Sequence, residues 1–212
     1  MERKEISKSV LKRLPGYLAY LKGMPGDAAP YISATALANA LGMGEVQVRK
    51  DLAMVSDGGR PKIGYLRESL IDDIEQFLGY DNTTDAVIIG AGKLGQALLD
   101  YSGFAAYGLN IVAAFDVKPA ADQTEGGKPI YHISHLETFC RTHKVLMGII
   151  TVPQNHAQEV CDLLIADGIK AIWNFAPVHL EVPSNILVQY ENMATSLAVL
   201  SMHLQAQMKG KE

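Results

Sequence analysis

Residues Gly90-Ala91-Gly92-Lys93-Leu94-Gly95 have the types and spacing of a turn that holds phosphate. In a G-x-G-x-x-G turn between a strand and a helix, the first glycine makes the tight bend. The second lets backbone approach a pyrophosphate, and the third lets helix and strand pack closely. Backbone N–H groups and the positive end of the helix dipole then hold the phosphate charge. Asp116, 21 residues past Gly95 at the end of the next apolar run, is where a carboxylate would accept the hydroxyls of an adenosine ribose. Its charge repels a 2′-phosphate, so the chemistry implied is binding of NAD(H) in preference to NADP(H). Lys118, two residues on, joins the candidate set. A tight turn in an α/β domain without a ligand is the plainer alternative, but the pairing with Asp116 favours the dinucleotide.

A second group reads Gln47-Val48-Arg49-Lys50-Asp51-Leu52. Arg49 and Lys50 near the start of a short helix are placed to enter a major groove, where bidentate contacts from arginine to guanine specify sequence. Arg60 and Lys62, in a glycine-rich hairpin, are within reach of phosphates or a minor groove. The alternative is a solvated basic helix face. Charge distribution decides between them: residues 1–67 carry 11 Lys+Arg against 6 Asp+Glu, while residues 68–212 carry 8 against 17. The total of −4 therefore hides a basic N-terminal part joined to an acidic remainder, which implies two jobs. Phosphate contacts need local cations, not a basic total.

The elements that must position these residues follow from apolar spacing. Tyr17, Leu18, Leu21 and Met24 predict a helix after Pro15, a residue suited to a first turn. Ser33 is the expected N-cap of a helix over Ala34–Leu41, closed by Gly42. After Gly42-Met43-Gly44 a second helix is predicted over Glu45–Val55, with Val46, Val48, Leu52 and Val55 inward and Gln47, Arg49 and Lys50 projecting. Ser56–Tyr65 reads as a tight hairpin with Arg60 and Lys62 near its tip, and a helix over Arg67–Leu78 follows. Residues 79–84 read as a linker. Strands are then expected over Ala86–Ile89, Ile111–Phe115, Val145–Thr151 and Ala171–Asn174, with an edge strand at Ile186–Gln189. Helices are expected over Leu94–Tyr101, His135–His143 and Asn155–Ala166. That alternation implies a doubly wound parallel sheet of Rossmann type. Thr151-Val152-Pro153 and Trp173-Asn174-Phe175-Ala176-Pro177 fall at strand ends, where cofactors lie in such sheets. They either wall the nicotinamide end or only pack. A terminal helix over about Glu191–Met208 carries an apolar stripe of Met193, Leu197, Leu200, Leu204 and Met208, read as a dimer seam or a core contact.

Composition excludes several classes. Of 212 residues, 48% are hydrophobic and 20% charged, which rules out disorder. No apolar run approaches the roughly 20 residues needed to span a bilayer. The charged N-terminus does not read as an export signal, so a cytoplasmic protein is expected. Cys140 and Cys161 are too few for a disulfide scaffold and read as small core residues. The six histidines lack an H-E-x-x-H arrangement, and no metal is expected.

The chain resembles the Rex family of redox-sensing transcriptional repressors over nearly its whole length. The matching pieces are Q-V-R-K-D-L at 47–52, G-Y at 64–65, G-A-G-K-L-G at 90–95, Y-S-G-F at 101–104 and F-D at 115–116. V-P at 152–153, G-I-K-A-I-W-N-F-A-P-V at 168–178 and V-P at 182–183 continue it. The resemblance implies a winged helix-turn-helix DNA-binding domain over residues 1–80, a Rossmann NAD(H) domain over 81–190 and a domain-swapped dimerisation helix over 191–212. It implies a homodimer on inverted-repeat operator DNA that leaves when NADH replaces NAD+. The implied cofactor set is residues 90–95, Asp116, Lys118, Thr151, Val152, Pro153, Asn174 and Phe175. The implied DNA set is Ser33, Gln47, Arg49, Lys50, Arg60, Lys62 and Tyr65.

Three departures stand out. The wing reads Pro61-Lys62-Ile63-Gly64-Tyr65 where the family usually has R-G-x-G-Y. The family's switch pairs a tyrosine, here Tyr101, with an arginine and an aspartate, and this chain has Ala19 and Asn192 in those places. A weaker switch through Tyr101 and Asn192 is therefore expected. Two other readings fit parts of the chain. An NAD-dependent oxidoreductase needs a substrate pocket, and only 38 residues follow Asn174. A Rossmann-like CoA-binding module fits Asp116 and the basic N-terminal part poorly. The expectation is thus a regulator, not an enzyme, with neither membrane nor protein substrate.

Overall fold

The computed structural model describes residues 7–209, and the chain divides into two compact units between Asn82 and Thr83. In the first unit, α1 (Lys8–Gly23) starts after Ser7, whose hydroxyl accepts the Val10 N–H. Pro15 lies inside this helix and not in its first turn. An interior proline removes a backbone hydrogen bond and costs roughly 3 kcal/mol. Leu14, Leu18 and Leu21 offset it by burying almost completely, each contributing about 1.5–3 kcal/mol.

α2 (Ala34–Leu41) and α3 (Glu45–Val55) form as their caps require. Ser33 Oγ accepts the Ala36 N–H at 3.0 Å, and Gly42 ends α2 in the left-handed region at φ 63°. The helix-turn-helix is followed by a small wing. β1 (Tyr31–Ile32), which has no signal in the sequence, pairs antiparallel with β2 (Tyr65–Leu66). Arg60 and Gly64 exchange two backbone hydrogen bonds of 2.9 Å. Gly64 sits at φ 95°, and a Cβ there would fall 2.3 Å from the Ile32 carbonyl oxygen, so only glycine permits this closeness. α4 (Arg67–Leu78) buries Leu70 and Ile74.

One inward residue was misassigned. Val46 is 65% exposed, and Asp51 is buried in its stead. Val48, Asp51, Leu52 and Val55 stand at i, i+3, i+4 and i+7, a single helix face, whereas Val46 is two residues from Val48 and points away.

The second unit alternates β3 (Thr84–Ile89), α5 (Lys93–Asp100), β4 (Leu109–Asp116), β5 (Ile130–His132), α6 (Leu136–His143), β6 (Met147–Ile150), α7 (Gln154–Ala166), β7 (Ala171–Asn174) and β8 (Leu187–Tyr190). The six strands are parallel in the order β5-β4-β3-β6-β7-β8. Counted within the unit this is 3-2-1-4-5-6, the dinucleotide-binding order. Residues on β3 alternate between the two faces: Val87 and Ile89 pack with α6 and α7, while Ala86 and Ile88 pack with Leu99 of α5. β6 begins later than expected because the Val145 N–H bonds back to the Cys140 carbonyl. β5 is too short to show a period. α8 (Met193–Lys209) ends the described chain, and every residue of it is exposed.

Candidate functional site

In the second unit the loop between β3 and α5 lies where strand order reverses, with β4 on one side of β3 and β6 on the other. Crevices at that point hold ligands in open α/β sheets. A cleft of about 540 Å³ opens there. Of the expected residues, Gly90, Gly92, Asp116, Thr151, Val152 and Pro153 line it. His156, Glu159 and Leu163 line it too, and were not anticipated. Their i, i+3, i+7 spacing along α7 was the available signal.

The three glycines differ in what surrounds them. Gly90 is at φ 104°, and a Cβ on it would press on Val152 and Thr151 at 3.0–3.1 Å. A Cβ on Gly95 would fall 2.0 Å from the Gly90 carbonyl oxygen. A Cβ on Gly92 would meet nothing within 4 Å, so this residue faces open space. That arrangement, two glycines locked against protein and one turned outward, suits a pyrophosphate over Gly92. Thr151 Oγ1 reaches the Gly90 carbonyl at 2.8 Å, and Gln96 Nε2 donates to the Ala91 carbonyl at 2.7 Å, fixing the loop.

Asp116 Oδ2 accepts the Ala91 N–H at 2.7 Å, and Oδ1 accepts the Lys118 N–H at 2.9 Å. An ionised carboxylate has about four acceptor positions. Two therefore stay available for ribose hydroxyls.

Other expected residues go elsewhere. Lys93 and Leu94 project from the first turn of α5, while Gly95 is buried. Asn174 is fully buried, donating to the Ala176 and Val178 carbonyls at 3.2 and 2.9 Å and accepting the Ala176 N–H at 2.9 Å. Its side chain shapes the turn after β7. Phe175 ends a row of rings, Tyr101–Phe104–Trp173–Phe175, with centroids 4.9, 5.6 and 4.9 Å apart. Trp173 Nε1 donates to Glu191 at 2.9 Å, and Asn192 Oδ1 accepts the Thr195 N–H at 3.1 Å, capping α8. The Trp173–Glu191 link was not legible in the sequence. Burial pushes the thiols of Cys140 and Cys161 up to about 11, which keeps both protonated and unreactive. No group of metal-ligating side chains occurs among the described residues.

In the first unit α3 exposes Gln47, Arg49 and Lys50, together with Val46. Arg49 pairs with Glu45 one turn back. Ala19 is exposed on α1. Arg60 and Lys62 are exposed on the wing, with Lys62 at φ 66° in its turn. Tyr65 is half-buried, and burial raises its phenol.

Beneath α3 lies a cluster the sequence did not announce. Arg13 Nε and Nη2 grip both oxygens of Asp51 at 2.7 and 2.8 Å, and the buried Tyr17 hydroxyl donates to Asp51 at 2.7 Å. Burial alone would raise the Asp51 carboxyl, but the hydrogen bonds from Arg13 and Tyr17 and the Arg13 charge outweigh it and hold it below its ordinary value. Burial first, then the bond to Asp51, lifts the Tyr17 phenol to about 12. Asp51→Ala should destabilise the protein by about 3 kcal/mol at pH 7, since removing one partner strands a charge and a hydroxyl. A depressed carboxyl stabilises above its unfolded pKa of roughly 3.9 and loses that contribution as pH falls. Melting curves should therefore show the gap between wild type and Asp51→Ala narrowing below about pH 4. A gap constant to pH 2.5 would contradict the assignment.

Comparison with known proteins fits both units. Residues 5–53 match the family model described as "Putative DNA-binding protein N-terminus", and residues 81–178 match that of the CoA binding domain. The redox-sensing transcriptional repressor Rex of Porphyromonas gingivalis is 40% identical over 197 residues, covering 92% of this chain and 90% of the relative. This chain belongs to the Rex family. Among solved structures, RSP in complex with beta-NAD+ and operator DNA is 32% identical with a TM-score of 0.89, covering 98% of this chain and 96% of that one. RSP in complex with beta-NADH is 32% identical with a TM-score of 0.85, covering 98% of both chains. The Rex-family fold thus accounts for the glycine loop at the sheet's switch point and for Arg49 and Lys50 exposed on α3. No helix among the described residues is long and apolar enough to cross a membrane.

Proposed function

We propose that this Rex-family chain is a transcriptional repressor that reads the NADH/NAD+ ratio, holding operator DNA when NADH is low and leaving it when NADH binds. The observation that carries the reading is its likeness, over 98% of its length, to a Rex-family repressor solved with both beta-NAD+ and operator DNA. The sites support it residue by residue. Asp116 would accept the adenosine ribose hydroxyls, the backbone around Gly92 would take the pyrophosphate, and Thr151–Pro153 would flank it. Asp116 and Glu159 share the cleft, and two carboxylates repel a 2′-phosphate. The nicotinamide end falls to the aromatic row ending at Phe175. When bound, the cofactor would supply a nicotinamide ring whose charge and planarity differ between its two oxidation states.

On the DNA side, Gln47, Arg49 and Lys50 would read a major groove while Arg60, Lys62 and Tyr65 follow the adjoining backbone. Ser33, whose hydroxyl caps α2, would contribute through its position at the helix start. A homodimer joined through α8 would present two such helices to an inverted repeat. The protein would act as a regulator in the cytoplasm and not as an enzyme, a reading supported by relatives named as transcriptional repressors. With no polar side chain at Ala19, only a neutral Tyr101–Asn192 hydrogen bond would remain, giving a smaller coupling than the charged groups of the family, since neutral hydrogen bonds contribute about 0.5–1.5 kcal/mol against 1.5–3 for charged ones.

Operator binding by wild type and two variants tests the DNA half. Arg49→Ala should lose about 1–3 kcal/mol at one base pair and relax specificity there. Lys50→Ala should weaken all sequences alike and flatten the salt dependence. Unchanged affinity in both variants would remove α3 from the interface.

A further inference from the structure

The cluster beneath α3 does more than hold the helix. Gln47 lies on the exposed side of α3, and in the orientation that satisfies its partners its carboxamide oxygen faces Arg13, 3.0 Å from Nη1 and 3.2 Å from Nε. The same guanidinium is fixed by two bonds to the buried Asp51, itself held by Tyr17. Nη1 of Arg13 donates to the Gln47 oxygen, since the single N–H of Nε is already given to Asp51. That bond turns the oxygen of Gln47 toward Arg13, and what the amide offers outward is its NH2 group, two donors.

Resting on the proposal that α3 reads DNA, we infer that Arg13 is a positioning residue that turns Gln47 into a donor-only reader of base edges. An unconstrained glutamine pairs with adenine by accepting from N6 and donating to N7. With its oxygen turned toward Arg13, Gln47 does not present it to N6. It favours edges that present acceptors, above all guanine with O6 beside N7, and disfavours cytosine, whose edge presents a donor. Arg13 itself never touches the DNA in this arrangement. Its lysine replacement keeps the positive charge opposite Asp51 but lacks the planar fork that serves two acceptors at once.

The test is a set of operator duplexes carrying every single base-pair change in one half-site, titrated against the full-length protein. Gln47→Ala identifies the pair that Gln47 reads, as the position where discrimination collapses. There the wild type should prefer guanine over adenine by about tenfold. Arg13→Lys should erase that preference and leave the other positions and the salt slope as in wild type. The double variant should behave like Gln47→Ala alone. Thermal melting is run alongside, and Asp51→Glu, which keeps the charge but displaces the fork, serves as a second variant if Arg13→Lys does not fold. The inference is overturned if wild type prefers adenine at that pair, if Arg13→Lys keeps the guanine preference, or if discrimination falls equally along the half-site. If wild type does not separate operator from random DNA, the reading of α3 as a DNA reader fails first, and this inference with it.

Discussion

Gly92→Val will melt at the wild-type temperature and bind neither NADH nor NAD+, whereas Gly95→Ala will lose stability and binding together. The two glycines are three residues apart in one loop, yet their surroundings are opposite. A Cβ on Gly95 would meet the Gly90 carbonyl oxygen at 2.0 Å, a contact no side chain tolerates, so α5 must shift away from β3. Forcing such a shift in a packed interior costs typically 1–3 kcal/mol or more. The Cβ of a residue at 92 meets nothing within 4 Å. Its branched side chain would occupy only the space in which backbone approaches pyrophosphate. Calorimetric NADH titration with parallel thermal melts checks both. NADH binding by Gly92→Val at wild-type affinity would place the pyrophosphate elsewhere.

The second large effect concerns α8. Met193, Leu197, Leu200 and Leu204 are each between 56% and 66% exposed, although this stripe is apolar along four turns. A helix of that composition gains by burying its stripe against a second copy. Ending the chain after Asn192 removes the stripe and keeps the Trp173–Glu191 hydrogen bond. The shortened protein should sediment as a monomer or aggregate. Its operator affinity should fall by roughly 10²–10⁴, because the second half-site is no longer engaged intramolecularly. A clean dimer with wild-type operator affinity would refute the role given to α8.

Much of this architecture was legible because its signals are local. Ser33 and Gly42 bracket α2, Gly42-Met43-Gly44 separates the two helices, and the glycine loop stands between an apolar run and a helix ending near Tyr101. What escaped has a common cause, since it depends on contacts between distant segments. Pro15 reads as a helix start until the burial of Leu14 and Leu18 is known. Val46 is apolar and adjacent to a core face, and only the position of Asp51 shows that the face lies elsewhere. Asp51 looks like one more charge in a basic motif, because its partner Arg13 is 38 residues away. Asn174 and Phe175 are neighbours in a strand end, but alternation sends one into the interior and the other into the aromatic row. His156 and Glu159 were visible as a spacing and lacked a cleft to point into.

A chain that couples NADH to operator release must obey linkage, which allows a direct measurement. If NADH disfavours the DNA-bound form, operator DNA must weaken NADH by the same factor. NADH affinity should therefore be measured by calorimetry with and without saturating operator duplex. Operator should weaken NADH by about 5-fold or more, toward the lower end of the 1–3 kcal/mol typical of such coupling, given the neutral Ala19 and Asn192. Equal NADH affinity with and without operator would contradict it.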